Sequence, residues 1–158
     1  MDDKKDFYPD ATFTQRMSYG SVKGYVPYDG AWYNYYTTEK GILEKYKEGD
    51  PEFDWQQYVI DAIKSKDSGQ YAAEDGTLRV NFLSDNDITG GNSGSPVMNG
   101  KAELIGLAFD GNWEALSGDI IFGPDMQRTI SVDIRYVLYT IDKIMNAPHI
   151  IKELQLVK

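Results

Sequence analysis

The sequence predicts a mainly β fold with helices, built as a single unit. Three observations carry that prediction. Leu78, Val80 and Phe82 alternate with Thr77, Arg79 and Asn81, the period-two pattern of a strand with one buried face. Val97-Met98 runs into Asn99-Gly100, a hairpin-turn signal, with a return strand expected over residues 103–109. Near the end, Ile134, Leu138, Ile141 and Met145 lie at helical spacing and form an apolar stripe. With 158 residues the chain can bury one sizeable core.

Taken in order, residues 11–36 are rich in Thr, Val and Tyr and broken by Gly20, Gly24, Pro27 and Gly30, so short extended segments joined by turns are expected. Tyr25, Tyr28, Trp32, Tyr33, Tyr35 and Tyr36 crowd this stretch. They fit half-buried packing better than a carbohydrate platform, although both uses of an aromatic face exist. A helix over residues 38–47 can start on Thr38 with Glu39 in its first turn, and a second over 51–64 carries Phe53, Tyr58, Ile60 and Ile63. Residues 64–76 read as a loop. After the hairpin, turn signals surround a short strand expected over 119–122, and Ser131 can cap the last helix with Asp133 near its positive end. There is no internal repeat or interdomain linker.

Composition narrows the function. A formal net charge of −9 argues against nucleic acid or an anionic membrane surface as partner. The absence of cysteine removes disulfides and thiolate metal sites, and no metal-ligand spacing or nucleotide fingerprint suggests a cofactor. The opening Met1-Asp2-Asp3-Lys4-Lys5-Asp6 is charged and precedes no apolar run, so no signal peptide is expected in the chain, nor any membrane span of roughly 18 apolar residues.

The chemistry lies in Thr89-Gly90-Gly91-Asn92-Ser93-Gly94-Ser95-Pro96. A serine nucleophile must stand on a sharp turn with its hydroxyl exposed and backbone N–H groups aimed where an oxyanion will form. Gly90, Gly91 and Gly94 can adopt positive φ, and the expected oxyanion hole is the N–H of Gly91 with that of Ser93. Glycine-serine clusters are also common in plain loops. The order of loop, proline, hairpin and return strand resembles a chymotrypsin-type serine peptidase. In that pattern Ala108, Phe109 and Asp110 fall on the wall along which substrate backbone lies. Trypsin-like enzymes that activate through an N-terminal ion pair have aspartate before the serine. Here it is Asn92, and no such activation is expected.

Asn81-Phe82, residues 89–97, Glu103-Leu104-Ile105-Gly106, Phe109-Asp110, Asn112-Trp113-Glu114, Gly118-Asp119-Ile120 and residues 132–138, with Lys5-Asp6-Phe7-Tyr8-Pro9-Asp10 and Ser18-Tyr19-Gly20, together resemble the C-terminal part of the bacterial dipeptidyl-peptidase 7 and 11 family. The resemblance implies the second β-barrel of a chymotrypsin-like peptidase with a C-terminal helix: residues 1–76 as lead-in, 77–131 as barrel strands, 132–147 as helix. It implies Ser93 as nucleophile and Asp110 as the carboxylate that receives the substrate's free α-amino group. Such a carboxylate would act as a ruler, since a dipeptide spans on the order of 7 Å; on its residues alone, Asp110-Gly111 reads first as a turn, and the resemblance reverses that order. In acidic-specific members an arginine stands where this chain has Gly111, so the chain looks like the 7-type, with apolar residues before the scissile bond, because an unpaired buried substrate carboxylate is costly.

A serine hydroxyl needs a base. The single histidine, His149 in Asn146-Ala147-Pro148-His149, does not match the family's base, which comes with its aspartate from the other barrel; a surface or packing role is expected. The chain is thus expected to be a C-terminal fragment that is inactive alone and partners peptide substrate, the missing N-terminal barrel and the helical domain, with a homodimer formed through the parent and a periplasmic or cell-surface location. The alternative is a non-catalytic peptide-binding or interaction module on a peptidase-like scaffold.

Overall fold

The computed structural model describes residues 14–118 and 120–157. The expectations on the Lys5–Asp10 motif, on residues 11–13 and on Asp119 lie outside the described residues.

The alternation at Thr77 to Phe82 becomes β2 (Arg79–Ser84), whose Val80, Phe82 and Ser84 are buried and whose other side chains are half-buried. It sits second in a five-stranded antiparallel sheet of order β1-β2-β5-β4-β3, with β1 Tyr36–Thr38, β3 Pro96–Met98, β4 Leu104–Gly111 and β5 Thr129–Asp133. The sheet is open, with β1 and β3 at its edges, so the described residues do not close the barrel expected from the sequence. Phe82 faces Ser131 across the β2/β5 ladder, and β4 crosses on the other side of β5 with Ala108 opposite Ser131. Gly106 lets the sheet close over Phe82: a Cβ there would stand 2.6 Å from the phenyl edge and from Val132 O.

β5 replaces the expected cap. Ser131 is a fully buried strand residue, and Asp133 takes the capping role, accepting the N–H of Arg135 at 2.9 Å and its guanidinium at 2.6 and 2.8 Å. Hydrophobic patterning does not reveal this strand because its buried face is polar, Thr129, Ser131 and Asp133, while the apolar Ile130 and Val132 are only half-buried. The helix beyond is α3 (Ile134–Tyr139), continued by a wider π turn at Thr140–Ile144; Met145, expected in the apolar stripe, is exposed. After Asn146 with φ 51°, a further short helix, α4 (Pro148–Glu153), starts with proline in its first turn. The helix expected over 132–147 stops short of it.

The two early helices are α1 (Glu39–Lys45) and α2 (Gln57–Lys64). Thr38 belongs to β1 and makes no side-chain cap; Glu39 instead accepts the N–H of Leu78 at 2.8 Å, joining α1 to the start of β2. α2 begins six residues later than expected because Asp50 accepts the N–H groups of Glu52 and Phe53 and folds Pro51 into a turn. Its buried face is Val59, Ile60 and Ile63, while Phe53 and Tyr58 are exposed. Tyr139 reaches Ala62 O at 2.9 Å and lies edge-on to Tyr71, and these two rings with Leu78 centre the core between helices and sheet. The loop expected over 64–76 begins after Lys64, the last residue of α2, and holds one 3-10 turn at Gly69–Tyr71.

The strand expected near residue 120 is absent among the described residues. A 3-10 turn occupies Trp113–Ser117, and Gln127 fastens the chain beyond it by bonds to Gly123 N–H, Ile121 O and Ser117 Oγ. The hairpin forms, but with residues 100–102 in its loop: Ala102 N–H bonds to Asn99 O, Asn99 N–H to Glu103 O, and the positive φ of 61° falls on Ala102 rather than Gly100.

Candidate active site

Ser93 stands on a loop folded against β4. Gly94 donates to Ala108 O at 2.7 Å and Ala108 donates to Ser95 O at 3.0 Å, so the chain is locked to the strand immediately after the serine. Before it, Asn92 Oδ1 accepts Thr89 N–H at 3.1 Å and Asn92 N–H returns to Thr89 O. Gly91 and Gly94 take φ of 93° and 84°, while Gly90 stays out of the left-handed region, so two of the three expected glycines meet that requirement. Asn92 thus has a local task, closing the turn that presents Ser93.

The Ser93 side chain is exposed and its hydroxyl donates to Phe109 O at 3.2 Å. The amides of Gly91 and Ser93 donate no hydrogen bond among the described residues. An acyl-transfer site needs N–H donors left uncommitted in this way.

β4 carries the other candidates, starting at Ala108, to which the serine loop is bonded. Between Ala108 and Asp110 the β4/β5 register slips, leaving Phe109 as the extra residue of a bulge. A bulge bends its strand and re-aims side chains. Ala108 is buried and both its backbone groups are taken by the serine loop, whereas Phe109 and Asp110 are exposed. Asp110 Oδ1 accepts the N–H of Gly111 at 2.8 Å. Gly111 pairs with Thr129, and a Cβ on it would meet Ala115 Cβ at 3.0 Å, with Arg128 O at 3.8 Å and Ile88 Cγ2 at 3.9 Å, so the space beside it is already closely occupied.

His149 is exposed on α4, and the Ser93 hydroxyl is bonded elsewhere. Among the described residues no group of three or more His, Asp or Glu could hold a metal ion.

Sequence reasoning assigns no role to the polar network that follows the end of β4. Asn112, buried, donates from Nδ2 to Met126 O and Glu114 Oε2, both at 2.8 Å, and accepts Arg128 N–H at 2.8 Å. Glu114 Oε2 also accepts from the Tyr25 hydroxyl at 2.9 Å. Burial first, and then the Glu114 carboxylate, push the Tyr25 hydroxyl above its ordinary value against the opposing pull of Asn112. Arg128, 3% exposed, spends its guanidinium on the carbonyls of Gly24, Pro124, Asp125 and Gln127. The only signal in the sequence is Asn112-Trp113-Glu114 itself, without a spacing rule to interpret it.

A family model for Peptidase S46 matches residues 1–156. Dipeptidyl-peptidase 7 of Porphyromonas endodontalis is 66% identical over 158 residues, covering 100% of this chain and 19% of the relative. Dipeptidyl-peptidase 7 of Porphyromonas gingivalis is 60% identical, covering 97% and 22%. An Asp/Glu-specific dipeptidyl-peptidase of Flavobacterium psychrophilum is 48% identical, covering 95% and 21%. The crystal structure of Porphyromonas endodontalis DPP11 in complex with the dipeptide Arg-Glu is similar with a TM-score of 0.83 and 43% identity, covering 86% of this chain and 20% of that one. The chain spans about a fifth of the length of the curated relatives it matches.

Proposed function

The chain belongs to the peptidase S46 family, and from that premise we propose that it is the nucleophile-bearing part of a serine-type dipeptidyl peptidase that releases dipeptides from free peptide N-termini. The observation that carries the reading is the single bond from Ser93 Oγ to Phe109 O, which sets the exposed hydroxyl one residue from Asp110 along the chain of β4.

In this mechanism a base outside the described residues takes the Ser93 proton as Oγ attacks the scissile carbonyl. The oxyanion of the tetrahedral intermediate accepts from the Gly91 and Ser93 amides. Collapse breaks the C–N bond and the base passes its proton to the leaving amine, so the dipeptidyl group is left as an ester on Ser93 Oγ; water then gives a proton to the base and attacks the ester carbonyl, the C–Oγ bond breaks, Oγ takes the proton back and the dipeptide is released. Asp110 pairs with the substrate ammonium, rewarding peptides with two residues before the cut. Phe109 lines the wall beside buried Ala108, and Gly111 supplies no cation to pair with a substrate carboxylate, which favours an apolar side chain before the cut. The greater identity to the two relatives named dipeptidyl-peptidase 7 than to the Asp/Glu-specific one supports that preference.

On this reading the open sheet contributes strands to the second barrel of a chymotrypsin-like fold, and the isolated chain is inactive. In the full-length parent, Ser93→Ala should lower kcat by at least about 1000-fold and abolish fluorophosphonate labelling; undiminished turnover would reject Ser93 as nucleophile. The isolated 158-residue chain should remain unlabelled, and stoichiometric labelling would show that it contains its own base. A parent that binds peptides but never turns them over would favour a non-catalytic module.

A further inference from the structure

We propose that Asn112 is a positioning residue for the substrate-amine anchor, held in place by Glu114 and, through it, by Tyr25 of the lead-in. The proposal rests on Asp110 being that anchor and adds what fixes it.

The need for a clamp comes from the bulge. On one side of Asp110 the ladder slips at Phe109, so the strand there has a surplus residue and less register control. The Asp110 side chain makes no tertiary bond among the described residues; its one hydrogen bond is to the next residue's N–H. Its location is therefore set by backbone alone. Regular pairing resumes at Asp110 with Ile130 and Gly111 with Thr129 and would end there with β4. Asn112 extends it: its N–H donates to Arg128 O at 2.9 Å while its side-chain oxygen accepts Arg128 N–H, imitating one more pair of strand bonds.

The amide nitrogen of Asn112 supplies the second half of the clamp. Its two protons go to Met126 O and Glu114 Oε2, so the side chain has one orientation that satisfies all three bonds. Glu114 Oε2 is shared with the Tyr25 hydroxyl, and Tyr25 is itself paired with Tyr33 by bonds of 3.1 and 2.9 Å. On the far side, Arg128 is immobilised by four carbonyls, including Gly24 O, next to Tyr25. The lead-in thus grips both partners of the clamp. A strand end held this way keeps the carboxylate at a fixed distance from Ser93, as a length-measuring site requires.

The test uses the full-length parent and a chromogenic dipeptide substrate in free-amine and N-acetylated forms. Asn112→Ala should raise KM for the free amine about 10-fold with kcat changed less than about threefold, and should reduce free-over-acetylated discrimination in the same proportion. Tyr25→Phe, which removes only the hydroxyl, should shift the same ratio in the same direction by about two- to threefold, and it serves if Asn112→Ala does not fold. Glu114→Gln, still able to accept both bonds, should stay near wild type where Glu114→Ala does not. Unchanged discrimination in Asn112→Ala or, failing that, in Tyr25→Phe, or equal losses on both substrates, would overturn the proposal. Asp110→Ala run beside them separates the two ideas: discrimination that survives Asp110→Ala refutes the anchor itself, whereas loss in Asp110→Ala with none in Asn112→Ala refutes only the clamp.

Discussion

Ser131 has a buried hydroxyl with no partner among the described residues, on a strand where the flanking inward residues are both served: Thr129 donates to Asn86 O at 2.8 Å and Asp133 holds Arg135. A buried hydroxyl that gave up water for nothing costs stability, and alanine at this site loses no hydrogen bond. Ser131→Ala should therefore stabilise the protein by about 1 kcal/mol, seen as a higher denaturant midpoint at unchanged m; a lower midpoint would mean that the hydroxyl makes a hydrogen bond in the folded state. The neighbouring glycines show how differently single residues can matter. The space beside Gly106 is filled by the Phe82 ring, whereas Gly100 has open space around it and ordinary φ, the left-handed position having moved to Ala102.

Among elements, the docking of the lead-in on β2 depends on a carboxylate. Asp85 pairs with Lys23 at 2.6 Å and accepts the N–H of Ser21, and backbone bonds join Lys23 to Leu83 and Asp85 to Ser21. The Lys23 ammonium first, then the Ser21 amide, hold the Asp85 carboxyl below the usual carboxylate range. Its folded value is thus lower than its unfolded value of about 3.9. The contribution to stability is complete above that unfolded value and disappears as pH falls through the lowered folded one. Acid titration should release residues 20–25 below about pH 4, measured as amide exchange, and Asp85→Asn should remove that pH step; a step that persists in the variant would assign it to another group. The same scale shows what the sequence could disclose. β2 is legible because its buried alternate residues begin with Val80 and Phe82, and the hairpin because Asn99-Gly100 marks a turn even though the turn takes another form. β5 is illegible because Thr129, Ser131 and Asp133 reverse the usual polarity of a buried face, and the start of α2 because Asp50 captures the turn at Pro51 through side-chain bonds that periodicity does not register. At the site, the glycines make the Ser93 loop readable, whereas the Asn112 clamp joins residues from distant parts of the chain, Tyr25 and Glu114 among them, and only folding brings them together.

For the molecule as a whole, an open sheet and a broad apolar surface fit a chain that spans about a fifth of its relatives. Trp32 and Tyr28 on the lead-in are about two-thirds exposed, and Trp113 beside the site is 83% exposed. Exposed aromatic side chains of this size are available for contact with other protein, and on the proposed reading the remainder of the parent peptidase covers them and brings the base to Ser93. The nucleophile on a loop held to β4 and the amine anchor just past the bulge of that strand make up one proposed site. Its most direct test is the ratio of kcat/KM for a free-amine dipeptide substrate to that for the N-acetylated form, in the full-length parent with and without Asp110→Ala. The expected result is a strong preference for the free amine that falls by about 10- to 100-fold in the variant, as loss of one charge-assisted bond requires. An unchanged ratio would contradict it.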